Sequence, residues 1–166
     1  DLLREAILEY PTEDIGDGLS EHIARDLIEE SLPQKIRELL RTEKYEVKSS
    51  VGKGRWTAIP WIAVLDPRET DDIQRGIYVV FLLEPLENRV RLTLNQGVTE
   101  LKNDRGTKQA RKELLTNASR IRQSIPAQGF SEGPIEFPDA SSRNELYGPG
   151  TIYFKDYTVE DFPDDE

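Results

Sequence analysis

The chain has no cysteine, no methionine and a single histidine. Without cysteine there is no disulfide framework and no thiolate chemistry. The one histidine, His22, would have to serve any Ser/His/Asp nucleophile, and no G-x-S-x-G motif accompanies it. No G-x-x-x-x-G-K-S/T loop is present, so this chain alone is not expected to hydrolyse nucleotides. No D…E-x-K arrangement at strand spacing suggests a nuclease. Carboxylates are so abundant that no pair of them points to glycosidase chemistry. One histidine and no EF-hand loop leave no metal-ligand pattern, and Asp71-Asp72 reads as solvated. We therefore expect no catalytic residues, no metal and no cofactor.

Apolar runs are also short. None approaches the ~18 residues of a membrane span, and DLLREAILEY at the start lacks the basic and apolar regions of a signal peptide. With the missing cysteine, this leads us to expect a cytoplasmic protein. The absence of an initiator methionine suggests a cut boundary or processing at residue 1.

What is present fits one domain over residues 1–166, read as a fragment of a larger protein. Hydrophobic residues make up 36% and charged ones 33%, enough for a core under a heavily solvated surface. The net charge of −10 disfavours bulk attraction to nucleic acid, although a salt-adapted source would carry the same acidity. The charge is segregated along the chain. Residues 102–123 carry seven cations (Lys102, Arg105, Lys108, Arg111, Lys112, Arg120, Arg122) against Asp104 and Glu113, whereas residues 124–166 carry ten acids against Arg143 and Lys155. A solvated helix face accounts for this as well as a binding surface does.

Spacing of apolar residues predicts an α+β fold. A helix over residues 2–10 ends at Pro11, a second starts at Ser20 as N-cap, and a third carries Pro33 in its first turn. Strands are predicted at 45–50, at 57–65 with an edge position or bulge at Pro60, at 77–83 as a central strand, and at 89–96 as a half-exposed one. Short connections favour an antiparallel meander, partly closed and covered by the N-terminal helices and a central helix. Val98 to Arg105 is a short helix. Thr107 caps a longer one with Ala110, Leu114, Ala118 and Ile121 on its apolar stripe and Lys108, Arg111 and Arg122 beside it. Residues 126–149 read as loop with a short strand at 134–137, 151–157 as a last strand, and Val159 onward as the start of an acidic helix.

The most informative stretch is SSVGKGRWTAIPWIAVLD at 49–66, followed by GIYVVFLLEPLENRVRLTLNQ at 76–96. Gly52 and Gly54 bracket Lys53, and both tryptophans lie just after them. Trp56, Trp61, Tyr78, Phe81, Tyr147 and Tyr153 offer flat faces, and stacking one base on such a face is worth about 1–3 kcal/mol. Core packing is the competing role for every strand aromatic.

The pattern S-x-G-x-G-x-W-x-x-I-P-W at Ser50 to Trp61 resembles the McrB N-terminal-domain family, the DNA-recognition part of modified-cytosine-dependent restriction systems. G-I-Y-x-V at Gly76 to Val80, Leu94-Asn95-Gln96-Gly97 and the Gly150 to Phe154 segment resemble it too. The resemblance implies a domain that binds double-stranded methylated DNA, with 5-methylcytosine the family default, and turns the modified base into a pocket. Carried over, that pocket uses Trp61, Tyr78, Leu82 and Tyr147. The loop Gly52, Lys53, Gly54 and Arg55 approaches the duplex. By their charge alone, basic residues such as Lys53, Arg55, Lys102 and Arg105 are candidates to hold phosphates. An aromatic occupies the loop tip in the better-known member and Lys53 does here, so a phosphate or orphaned-base contact stands beside the wedge role. GTPase or nuclease activity then belongs to a fused or partner component, in restriction or antiviral defence. A protein-interaction module without DNA reading is the alternative, and a small enzyme on nucleotides or sugars is a third.

Overall fold

The computed structural model describes residues 2–12, 21–137 and 145–162. Helix α1 (Leu2–Leu8) is followed by α2 (Ile23–Asp26), a π-helical turn (Leu27–Ser31) and α3 (Leu32–Leu40). The N-cap expected at Ser20 lies outside the described residues. Instead His22 caps α2, its Nδ1 accepting the Ala24 N–H at 3.1 Å. The second and third helices predicted from sequence run on through the π turn, in which Leu32 N–H donates to the Leu27 carbonyl. Pro33 explains the wide turn. It has no N–H for the carbonyl four residues back, and its ring crowds that turn.

Strands β1 (Glu46–Ser50), β2 (Trp61–Leu65), β3 (Ile77–Glu84) and β4 (Arg89–Gln96) follow, with a 3-10 turn (Pro85–Glu87) between the last two. Then come α4 (Thr99–Arg105), α5 (Thr107–Ser124), β5 (Ser131–Glu132), α6 (Tyr147–Gly150) and β6 (Thr151–Thr158). Among the described residues the strands form one antiparallel sheet in the order β1-β2-β3-β4-β6-β5. The order does not return to β1, so the sheet is not a closed barrel.

Several boundaries differ from the expected ones for local reasons. Pro60 stands just before β2, not inside it, and β2 is an interior strand. The Pro60 carbonyl still takes part in pairing, accepting the Leu83 N–H at 2.9 Å. Gly106, not Thr107, is the N-cap of α5. The short strand forms at Ser131–Glu132, opposite Phe154 and Tyr153, rather than at 134–137. Val159 to Phe162 form a turn instead of beginning a helix.

By internal contacts the chain divides into two compact units, Asp1–Val64 with Val80–Leu92 and Asp156–Glu166, and Leu65–Val79 with Thr93–Lys155. The first unit's core joins Ala6, Ile7 and Tyr10 of the N-terminal segment and Ile28 and Leu32 of the interrupted helix to Val47, Ile62, Leu83 and Val90 of the strands. Full burial of each such aliphatic side chain is worth about 1.5–3 kcal/mol. In the second unit the apolar stripe of α5 is buried as its spacing predicts: Ala110 and Leu114 pack with Val98 and Leu146, and Ala118 with Ile152 and Tyr153.

The alternation in β4 predicts a half-exposed strand, yet Arg91 is buried. Its Nε lies 2.6 Å from Glu84 Oε1, and Arg89 Nη2 lies 2.9 Å from Glu84 Oε2. Asp156 adds a contact to Arg91 at 3.6 Å. Opposite charge, rather than exposure, is what permits an arginine there.

Removing one member of a buried ion pair strands the other charge, at a cost of about 3–5 kcal/mol. Glu84→Ala is expected to lower the melting temperature by roughly 10 °C, at about 2–4 °C per kcal/mol. Calorimetry on the two proteins checks this.

Candidate nucleic-acid interface

The glycine-flanked loop in the first unit is closed from below. Val51, fully buried, follows β1, and its carbonyl accepts the Thr57 N–H at 2.8 Å. The Tyr10 hydroxyl donates to the Thr57 carbonyl at 2.7 Å and also lies 3.3 Å from the Val51 carbonyl. Trp56 is 6% exposed. Its ring meets Tyr10 edge-on at 5.1 Å and His22 edge-on at 5.5 Å. Of the two tryptophans, then, Trp56 is the loop's anchor and no stacking face, and His22 has a structural role.

Above this anchor Lys53, Gly54 and Arg55 are exposed and Gly52 is half-buried. Gly52 has φ +127° and Gly54 φ +76°, conformations that L side chains rarely adopt. At Gly52 a Cβ would also lie 2.1 Å from the Arg55 carbonyl oxygen. The Ser50 hydroxyl accepts the Gly52 N–H at 3.0 Å and so completes the turn. The motif thus encodes a tight loop whose two cations face solvent.

Two buried carboxamides organise the second unit. Asn95 Nδ2 donates to Thr151 Oγ1 at 3.1 Å and to the Tyr147 carbonyl at 3.3 Å. Gln96 Nε2 donates to the Leu114 carbonyl at 2.9 Å and the Gly150 carbonyl at 3.2 Å. Gly97 N–H donates to the Gly76 carbonyl at 2.9 Å, and a Cβ at Gly97 would lie 2.2 Å from the Arg75 nitrogen. The L-N-Q-G and G-I-Y motifs are therefore two halves of one junction, which also fixes the start of α6.

Tyr147 opens α6 and Tyr78 lies on β3; both are half-buried. Burial pushes both phenols above their ordinary range, and for Tyr78 the charge of a Tyr147 phenolate and of Asp72 would add to the shift. The Tyr78 hydroxyl donates to the Ile73 carbonyl at 2.7 Å. The Tyr78 ring is thus held by its polar end, and Tyr147 by its backbone carbonyl.

Residues 6–166 match the family model described as MrcB-like, N-terminal domain. The chain belongs to this family. It matches no curated protein. The MrcB-like family points to a DNA-binding domain of a restriction or defence protein, a recognition module and not a catalytic one. Among the described residues no helix is long and apolar enough to cross a membrane.

The MrcB-like fold treats the sequence-predicted residues unequally. Trp61 is half-buried at the start of β2. Leu82 is 3% exposed, so it can only line the floor of a site. Trp56 and Tyr153 are core residues, and Phe81 packs on the first unit's core. Lys102 is tied to Glu145, whose Oε1 accepts its Nζ at 2.9 Å, and that hydrogen bond holds the Glu145 carboxyl below its ordinary range. Arg105 is exposed, with no ion pair among the described residues. A cleft of about 470 Å³ in the second unit, lined in part by Gln74, Ile77, Leu101, Asn117 and Ile121, includes none of the four predicted base-contact residues. No motif announced it; it forms where α4 and α5 face β3.

Tyr10→Phe keeps the ring contact with Trp56 but removes the hydroxyl from the Thr57 carbonyl. An unsatisfied buried group costs about 1–3 kcal/mol, and faster hydrogen exchange of the Thr57 amide is the local readout. Alkaline stability gives a second check. The unfolded chain releases phenol protons above about pH 10 while buried Tyr10, Tyr78 and Tyr147 retain theirs. Stability is therefore full below that value and falls as the pH rises past it. In thermal melts Tyr78→Phe is expected to reduce this alkaline decline.

Proposed function

We propose that this domain reads a modified base, methylated cytosine first among candidates, in double-stranded DNA by turning it out of the helix. A base cannot be inspected whole inside the stack, and extruding it costs a few kcal/mol. Aromatic faces return about 1–3 kcal/mol per stacked base. Trp61, Tyr78, Leu82 and Tyr147 are assigned to base recognition. Trp61, Tyr78 and Tyr147 are each half-buried, which leaves part of each ring accessible, and Leu82 supplies an apolar surface.

The observation that carries the reading is the pinned loop. Within a family that points to DNA binding, the chain presents Lys53 and Arg55 at the tip of a turn closed by Tyr10 and Trp56. A tip with backbone at Gly52 and Gly54 and no side-chain bulk there can approach a duplex closely. We assign the loop to the vacated space or to the phosphates flanking it. Cleavage and nucleotide hydrolysis fall to a GTPase or nuclease in another domain or subunit.

Binding to matched duplexes with and without one modified cytosine tests this. The modified duplex is expected to bind at least tenfold more tightly, and Trp61→Ala to erase most of that ratio while leaving unmodified binding in place. Equal affinity for both duplexes contradicts modification reading. Retention of no DNA, alongside a stable complex with a protein, supports the alternative of an assembly module.

A further inference from the structure

The α4–α5 corner of the second unit holds a set of charges that the reading above does not use. Residues 105–112, RGTKQARK, contain four cations and no acid. Arg105, Lys108, Arg111 and Lys112 are all exposed, and none makes an ion pair among the described residues. Several cations elsewhere are engaged: Arg25 with Glu29, Arg68 with Asp66, Arg89 and Arg91 with Glu84, and Arg122 with Glu132. Lys102, one turn before the corner, is engaged by Glu145.

Helix geometry gathers the α5 members of the set. Lys108, Arg111 and Lys112 stand at i, i+3 and i+4, hence on one face. The buried stripe through Ala110, Leu114 and Ala118 lies on another. Glu113, the acid of α5, lies far round the helix from the cations, where it accepts the Gln109 amide at 3.1 Å. The macrodipole adds positive potential at Lys108, in the first turn of this 18-residue helix.

The net charge decides what such a patch fits. At −10 the molecule as a whole repels a polyanion, so contact with one requires a local positive field. The α5 face, which carries three cations and no acid, supplies that field; Asp104 adjoins Arg105 on α4. We propose that Arg105, Lys108, Arg111 and Lys112 form a contact surface for the phosphate backbone of double-stranded DNA, independent of base identity. This rests on the DNA-binding reading above and moves the phosphate contacts from Lys102 to the exposed face of α5.

The test is the salt dependence of binding by the chain and by Lys108→Gln/Arg111→Gln/Lys112→Gln. Each phosphate contact contributes about 0.9 to the slope of log affinity against log salt. The triple variant is expected to lose roughly 2 to 3 of that slope. It should weaken binding to modified and unmodified duplexes by the same factor, ten or more, so that their ratio is unchanged. Lys35→Gln/Lys44→Gln, two exposed cations of the first unit, should change neither. All substituted groups are exposed, and an unchanged melting temperature verifies the fold.

An unaltered slope in the triple variant, with the wild-type chain still discriminating modified DNA, overturns the inference and leaves the DNA reading standing. A loss confined to the modified duplex overturns it as well, because a backbone contact cannot sense the base. If the wild-type chain retains neither duplex, both readings fail together.

Discussion

One hydroxyl group holds the glycine-flanked loop of the first unit in place. Tyr10 sits on the N-terminal segment, far in sequence from the loop it closes, and its O–H reaches the backbone on both sides of that loop. Glycine gives the tip freedom to turn tightly but also makes it costly to order. The phenol, the indole of Trp56 beneath it and the Val51–Thr57 hydrogen bond offset that cost. The N-terminal helices therefore do more than cover a sheet; they supply the clamp from which Lys53 and Arg55 project. His22 joins the same clamp by capping α2 and meeting Trp56 edge-on.

The second unit solves a comparable problem with amides. Asn95 and Gln96 are adjacent in β4 and nearly buried, and between them they hold the carbonyls of Tyr147, Leu114 and Gly150. A buried carboxamide is stabilising only when its donors are satisfied. Here the donors fix the turn that presents Tyr147. Gly97 lets this junction close against Arg75, where any side chain would collide with backbone. Tyr147 is thus positioned by polar contacts at its backbone and Tyr78 by one at its hydroxyl, not by packing of their rings alone.

Much of the fold was legible in the residues. The helical spacing of 2–10, the apolar stripe of α5 and the β-branched run of β3 each led to the element observed, because burial and periodicity are local properties. Other features depended on distant chain. Arg91 looked exposed by alternation and is buried because Glu84 and Asp156 come to it. Trp56 and Trp61 are indistinguishable as sequence, yet one lies against Tyr10 and the other begins a strand. Lys102 looked as available as Lys108 until Glu145, forty-three residues on, was found beside it. The π turn followed from Pro33, but only once the helices on either side were seen to be continuous. The motif glycines predict a loop and one forms there; the junction that unites Gly76 and Gly97 is not legible in sequence, since nothing in either motif names the other.

The most direct measurement is the structure of this domain bound to a duplex carrying a single modified cytosine. The account predicts that base outside the helical stack, lying on an aromatic ring among Trp61, Tyr78 and Tyr147, with the Gly52–Arg55 tip against the duplex where it left. A modified base still stacked and paired, with the loop tip away from the DNA, would contradict it.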